Sequence, residues 1–324
     1  MNSFDLLRQN LISPVILSFA LGIIARLMRS DLAFPDALSK TLAIFLLLAI
    51  GMKGGVALGG AQLGQIGGAI VVTMLIGLLI PVWTYVIVRR FGCFGPEDAA
   101  SLAAHYGSTS AVTFLAAIAF LAQTSSPPEG FMPALLALME VPAIVIALVI
   151  LRRSGGQTQG TTGAVVAQVM ASKSILLLLG GLVIGWAAGA EKMGEVKAFF
   201  VDPFKGVLCF FLLELGMVAA DRLSDLRTHW RFLVPFAIGL PLLHGILGVV
   251  AGHYVGLSVG GATVLGTLAA SASYIAAPAA MRIANPGANH ALSLAASLGI
   301  TFPFNLGFGI PIYFTCASWL ARGT

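Results

Sequence analysis

The sequence predicts an all-α integral membrane protein: ten transmembrane helices in two inverted repeats of five, with discontinuous helices in spans 4 and 9. Three observations predict it. Of the 324 residues, 58% are hydrophobic and only 10% charged, and the mean hydropathy is +0.96. Soluble domains carry roughly 25% charged residues, so too little polar surface remains here to cover a soluble core. Charges and Gly/Pro clusters cut the chain into ten apolar runs, each close to the roughly 20 residues that cross a bilayer as helix. Finally, two separate segments recur at one offset of 165 positions.

The expected spans are 12–28, 39–57, 66–89, 96–124, 130–151, 173–189, 203–221, 231–252, 259–283 and 288–321. Met1 to Asn10 contains Asp5, so the start reads as the approach to a first membrane helix and not as a cleavable signal peptide. Arg89-Arg90 and Arg152-Arg153 stop the third and fifth runs, and Pro96-Glu97-Asp98 opens the fourth. Inside the fourth, Gly107-Ser108-Thr109-Ser110 and Thr113 put a glycine and four hydroxyls where a continuous helix needs none. Such residues let a membrane helix open and re-satisfy its freed backbone groups. The ninth has a similar patch, Ser271-Ala272-Ser273 ahead of Pro278. In the tenth, Thr301-Phe302-Pro303-Phe304-Asn305 predicts a kink or break.

The repeat is visible without any other sequence. Ala33-Phe34, Lys40 and Phe45 to Met52 recur as Ala198-Phe199, Lys205 and Phe210 to Met217. The same offset of 165 sets Ser108 on Ser273, Ala111 on Ala276 and Glu140 on Asn305. Five spans per half, an odd number, invert the second half in the membrane. The expected domains are 1–153, a first repeat; 154–172, a linker whose stretch from Ser154 to Gly163 is Gly/Thr-rich and flexible; and 173–324, the second repeat. With both termini outside, inner loops carry twelve Lys/Arg (Arg227 and Arg231 among them) and the outer side six. That asymmetry sets the orientation and makes the linker cytoplasmic.

The net charge of +5 is explained by those inner loops. Cys93, Cys209 and Cys316 are far apart and odd in number, which argues against a disulfide framework or a zinc site. Gly51-Met52-Lys53-Gly54-Gly55 lacks the full phosphate-loop spacing, and Lys53 reads as an interface anchor. His105 reads as a hydrogen-bonded structural histidine, and Ser108 with His105 lacks the oriented third group of a nucleophilic site, so no enzyme is expected.

A break exposes the N-terminus of the half-helix that follows, with unpaired N–H groups and the positive end of the dipole. Ser108 or Ser110, and Ser273, are natural N-caps. In inverted halves two such ends face each other, which suits a small anion. Neither break holds Lys or Arg, so a co-bound cation can supply the missing charge. Glu140, Asn305, Ser110, Thr113 and Ser273 are the candidate oxygen donors for Na⁺, since carboxylate, amide and hydroxyl oxygens with freed carbonyls suit that ion. An intramembrane carboxylate such as Glu140 is a functional candidate by default; Glu214, whose repeat mate is Ala49, ranks lower.

His105 to Phe114, Gly51 to Gly55, Ser271 to Arg282, and Ser297 to Asn305 followed by Gly309-Ile310-Pro311 together resemble the sodium-dependent bicarbonate transporters of the SbtA type over nearly the whole chain. The resemblance implies a core domain moving against a gate domain, a homotrimer, and Na⁺-coupled bicarbonate import by alternating access of elevator type in a bacterial inner membrane. It places the substrate region at Gly107, Ser108, Thr109, Ser110, Ala272, Ser273, Thr301 and Phe302. In cyanobacterial relatives it implies control by a PII-like protein that binds adenine nucleotides; the short, charge-poor linker here argues against that partner. Two other functions fit the same sequence: a Na⁺-coupled carrier of another small anion, such as a short carboxylate, and an anion channel. Mirrored discontinuous helices favour a carrier over a channel.

Overall fold

A computed structural model describes residues 3–59, 63–156, 158–226 and 229–323. Gln157 of the linker and Arg227 of the basic tally lie outside the described residues. These are all-helical: α1 (Ser3–Leu11), α2 (Pro14–Leu27), α3 (Asp36–Leu58), α4 (Leu63–Phe91), α5 (Pro96–Gly107), α6 (Ala111–Leu121), α7 (Met132–Arg153), α8 (Thr162–Met170), α9 (Lys173–Glu195), α10 (Lys197–Phe200), α11 (Phe204–Arg222), α12 (Trp230–Tyr254), α13 (Val259–Ala270), α14 (Ala276–Ala284), α15 (His290–Leu294), α16 (Phe302–Phe304) and α17 (Ile310–Leu320).

Eight helices among the described residues are long and apolar enough to cross a membrane, nine if the pair α1–α2, bent by 52°, is one span. The expected ninth span fails that test as a unit because Ser271–Ile275 separates α13 from α14. The tenth is not broken. Around Pro303 the chain stays helical from His290 to Leu320, with π-helical turns at Ala295–Thr301 and Asn305–Gly309. A π turn absorbs the irregularity that a proline imposes without opening the helix.

The helices pack in two sets. In one, α3 lies along α9 and α2 along α11, with α3 also touching α11. These contacts are backbone-close: a Cβ on Gly55 would stand 2.1 Å from the Leu182 carbonyl oxygen, and one on Gly185 would stand 2.0 Å from that of Met52. Small residues at such crossings are how membrane helices gain packing without a hydrophobic drive. The Gly51 to Gly55 motif thus has a packing role. In the other set, α4, α5 and α7 pack together, α13 packs on α12, α17 and α6, and the whole encloses the two breaks. Outward-facing apolar side chains such as Leu17, Leu21, Val71, Leu75, Leu176 and Val183 are exposed, as lipid contact requires.

The stretch from Ser154 to Gly163, expected to be slack, is organised. The Arg152 guanidinium donates to Thr158 Oγ1 at 2.9 Å, Thr162 Oγ1 at 2.7 Å and the Gly160 carbonyl at 2.9 Å. Gln159 N–H donates to the Ala284 carbonyl at 2.9 Å, and α8 follows with Val165 and Val169 buried. One arginine's five donors close the loop that composition alone leaves open. At the other end of the chain, Asn10 at the end of α1 donates to the carbonyls of Leu306 and Gly307 at 3.0 and 3.1 Å, satisfying groups of the second π turn.

Candidate substrate site at two broken helices

α5 stops at Gly107 because the chain meets a wall there. A Cβ at 107 would stand 2.3 Å from Pro81 Cγ of α4 and 2.9 Å from Ala143 Cβ of α7, so only glycine lets the break seat this closely. Ser108 to Ser110 are extended or nearly so, and α6 begins at Ala111. Of the two expected caps, Ser110 is the one: its Oγ accepts from Thr113 N–H at 3.1 Å. Ser108 Oγ instead donates to the Glu140 carbonyl at 3.4 Å, and Thr109 Oγ1 to the Leu136 carbonyl at 3.3 Å. Both hydroxyls are turned to α7, which moves Ser108 and Thr109 from ligand candidates toward anchors of the break.

In the second break, Ser273 Oγ accepts from Ala277 N–H at 3.1 Å, but the N-cap of α14 is Ile275, which makes no side-chain cap bond; Ser273 reaches the first turn from two residues outside the expected cap position. The breaks are bonded to each other. Ser273 N–H donates to the His105 carbonyl at 2.8 Å, and Ser110 N–H donates to Ser271 Oγ at 3.0 Å, while Ser271 Oγ–H goes to the Leu268 carbonyl at 2.8 Å. Ser108, Thr109, Ser110, Thr113, Ala272 and Ser273 are all buried. With these bonds made, the N–H groups of Ala111 and Val112 at the head of α6, and of Ala276 at the head of α14, have no acceptor among the described residues. These are the orphan donors that a helix start always leaves, here on buried residues.

Asn305 adjoins the second break, and Glu140 adjoins the first through its carbonyl. Asn305 Nδ2 donates to the Ala270 carbonyl, the last of α13, at 2.8 Å, and its Oδ1 accepts from Tyr313 Oη at 2.9 Å. Its amide therefore holds the second break open, and its oxygen keeps one lone pair. Glu140 is 2% exposed, and its Oε2 has no hydrogen-bond partner.

Thr301 stands one layer back. Pro241 of α12 has no N–H for the Ala237 carbonyl four residues earlier; Thr301 Oγ1 donates to that oxygen at 2.7 Å. Tyr106 Oη, 2.8 Å from Thr301 Oγ1, must then be the donor to it. Phe302 packs edge-on against Tyr274 of the second break and Phe19 of α2, with centroids 5.7 and 5.2 Å away. Four participants escaped the sequence reading: Ser271, Tyr106, Tyr313 and the His105 carbonyl. Ser271, Tyr106 and His105 lay in stretches already singled out, and Tyr313 did not. His105 itself is structural as expected: Nδ1 donates to the Ser101 carbonyl at 2.7 Å, one turn back on its own helix.

Set beside protein-family models, residues 14–318 match that of the Na⁺-dependent bicarbonate transporter superfamily. The chain belongs to that superfamily. No curated protein matches it. As a superfamily member with many apolar helices, it is a multi-pass membrane protein of a transporter family, a membership that implies transport and not catalysis. Sodium and bicarbonate are the substrates that membership implies.

Proposed function

We propose that this protein carries bicarbonate and Na⁺ together into a bacterial cell by alternating access, with both termini outside. The observation that carries the reading is the set of unpaired N–H groups at Ala111, Val112 and Ala276, on two breaks that hydrogen-bond to each other. Facing helix starts attract an anion by about 0.3–1 kcal/mol each, up to about 2 when partly buried. That gives modest affinity, which a carrier needs in order to release. Neither break contains Lys or Arg, so a co-bound Na⁺ supplies the countercharge. Glu140 carboxylate, Asn305 Oδ1 and the hydroxyls of Ser110, Thr113 and Ser273 are its proposed ligands.

The two half-helices begin at Ala111 and Ala276, the offset of the sequence repeat, which supports ten spans in two inverted fives. We take the set built on α4, α5, α7, α12, α13 and α17 as the moving core, the set α2, α3, α9 and α11 as the gate, and a homotrimer as the assembly. The linker, already tied by Arg152, is a poor strand for a PII-like partner to engage.

The test is titration of bicarbonate into purified protein at several Na⁺ concentrations, with K⁺ as replacement. Sodium and bicarbonate should tighten each other's binding by equal factors, and Glu140→Gln should weaken the sodium half. Equal bicarbonate affinity in Na⁺ and K⁺ overturns the coupling. Stronger competition by acetate, sulfate or nitrate than by bicarbonate itself overturns the substrate.

A further inference from the structure

Two adjoining cavities lie between α3 and α6, where the two helix sets meet. One, of about 260 Å³, is lined by Lys53 of α3, Ile118 and Ala122 at the end of α6, and Asp202 and Lys205 beside the start of α11. The other, of about 360 Å³, shares Lys53, Ile118 and Ala122 and continues to Glu129. Ile118 is seven residues beyond Ala111. At 1.5 Å per residue, the cavities therefore reach α6 about 10 Å from the unpaired N–H groups.

The charges are unequal to a neutral crevice. Lys53 and Lys205 are both exposed, and among the described residues neither has a carboxylate within ion-pair reach. Asp202 offsets one of them in the first cavity. Glu129 lines only the second cavity, where its Oε1 accepts from Ser258 N–H at 2.6 Å, at the start of α13, and its charge offsets Lys53 there. The first cavity keeps a net positive charge among apolar walls, and a low-dielectric cleft of one sign concentrates counter-ions at its mouth. A lysine in an apolar span commonly reaches for a headgroup. Lys53 has this cavity to reach into.

We infer that Lys53 and Lys205 form an anion-collecting vestibule, a weak site for a small oxyanion on the way to the breaks. The inference rests on the anion reading of the breaks and adds to it the residues that gather the substrate.

Uptake of labelled bicarbonate into vesicles of phosphatidylcholine tests it, at fixed Na⁺ and at low and high ionic strength. The double variant Lys53→Gln with Lys205→Gln should raise the half-saturating bicarbonate concentration about threefold or more at low ionic strength. The gap should close at high salt, where exposed charges are screened. The maximal rate should not move, the half-saturating Na⁺ should not rise, because a positive vestibule repels a cation, and the double Arg variant should behave as wild type. A gap that ignores salt, no gap at all, or a gap present only when phosphatidylglycerol is added overturns the vestibule; the last outcome assigns the lysines to a lipid headgroup. Ala122→Cys, with the three native cysteines replaced, reads the same potential without transport. The ratio of its reaction rates with anionic and cationic thiol reagents should fall about threefold or more in the double Gln variant. An unchanged ratio overturns the vestibule even if bicarbonate proves not to be carried, an outcome that would sink the substrate reading alone.

Discussion

Replacing Thr301 by Val keeps the shape and removes one oxygen. That oxygen serves two buried groups at once: it donates to the Ala237 carbonyl at 2.7 Å and accepts from Tyr106 Oη at 2.8 Å. A buried polar group left unpaired costs about 1–3 kcal/mol in soluble proteins, but hydrogen bonds between membrane helices average only about 0.6 and reach about 1.7. Two such losses on the membrane scale put Thr301→Val at about 1–3 kcal/mol. The Ala237 half of that cost exists because Pro241 has no N–H. Pro241→Ala restores the missing helical donor, so in its background Thr301→Val should cost about half as much, a coupling of about 0.6–1.7 kcal/mol. Reversible unfolding of the four proteins in mixed micelles measures the cycle. If Thr301→Val costs the same with Pro or Ala at 241, the hydroxyl is not standing in for the lost N–H. The same cycle run on uptake separates structure from recognition: a loss of transport that Pro241→Ala fails to relieve would put Thr301 on the substrate.

Gly107→Ala should destabilise the purified protein by about 1–3 kcal/mol through overpacking, since the added carbon meets Pro81 at 2.3 Å. Gly180→Ala, whose added carbon meets nothing within 4 Å, should be neutral or mildly stabilising; equal melting shifts for the two would refute the contact argument. Ser110→Ala removes the cap of α6 and should cost about 0.5–2 kcal/mol and raise the half-saturating bicarbonate concentration. Ser108→Ala, losing only a bond of 3.4 Å, should do less of both. Melting curves and uptake kinetics that rank Ser108 first would return the cap to it.

Hydrophobic runs and misplaced hydroxyls made eight or nine apolar helices and both breaks legible from the sequence, because lipid tolerates neither long polar runs nor open backbone without a reason. The offset led from Glu140 to Asn305, and both proved buried beside the breaks. What Asn305 does there was not legible. Its amide is taken by Ala270, 35 residues away, and by Tyr313, one face round its own span. Tyr106 meets Thr301 across 195 residues, and no local pattern carries such a pairing. The choice between Ser108 and Ser110 as cap also lay beyond composition, since both are serines one turn from the same helix start. The linker misled in the opposite direction: glycines and threonines read as slack until Arg152 is seen to fold them onto itself.

The bonds between the breaks also set a waiting time during synthesis. The Ser110 N–H takes Ser271 and the His105 carbonyl takes Ser273, so the first break has to be made 161 residues before its partner is. At about 5–20 residues per second that interval is about 8–32 s. Throughout it, the part of the chain already made holds the broken pair α5–α6 with the Ser110 N–H and the His105 carbonyl still without these partners. Helix packing waits as well, since α3 lies on α9 and α2 on α11, each pair joining an early helix to a late one. The joined pair of breaks comes into being only when Ser271 and Ser273 reach the first break, so it forms together with the packing that ties the early helices to the late ones, and a fault in either half is exposed at the same moment.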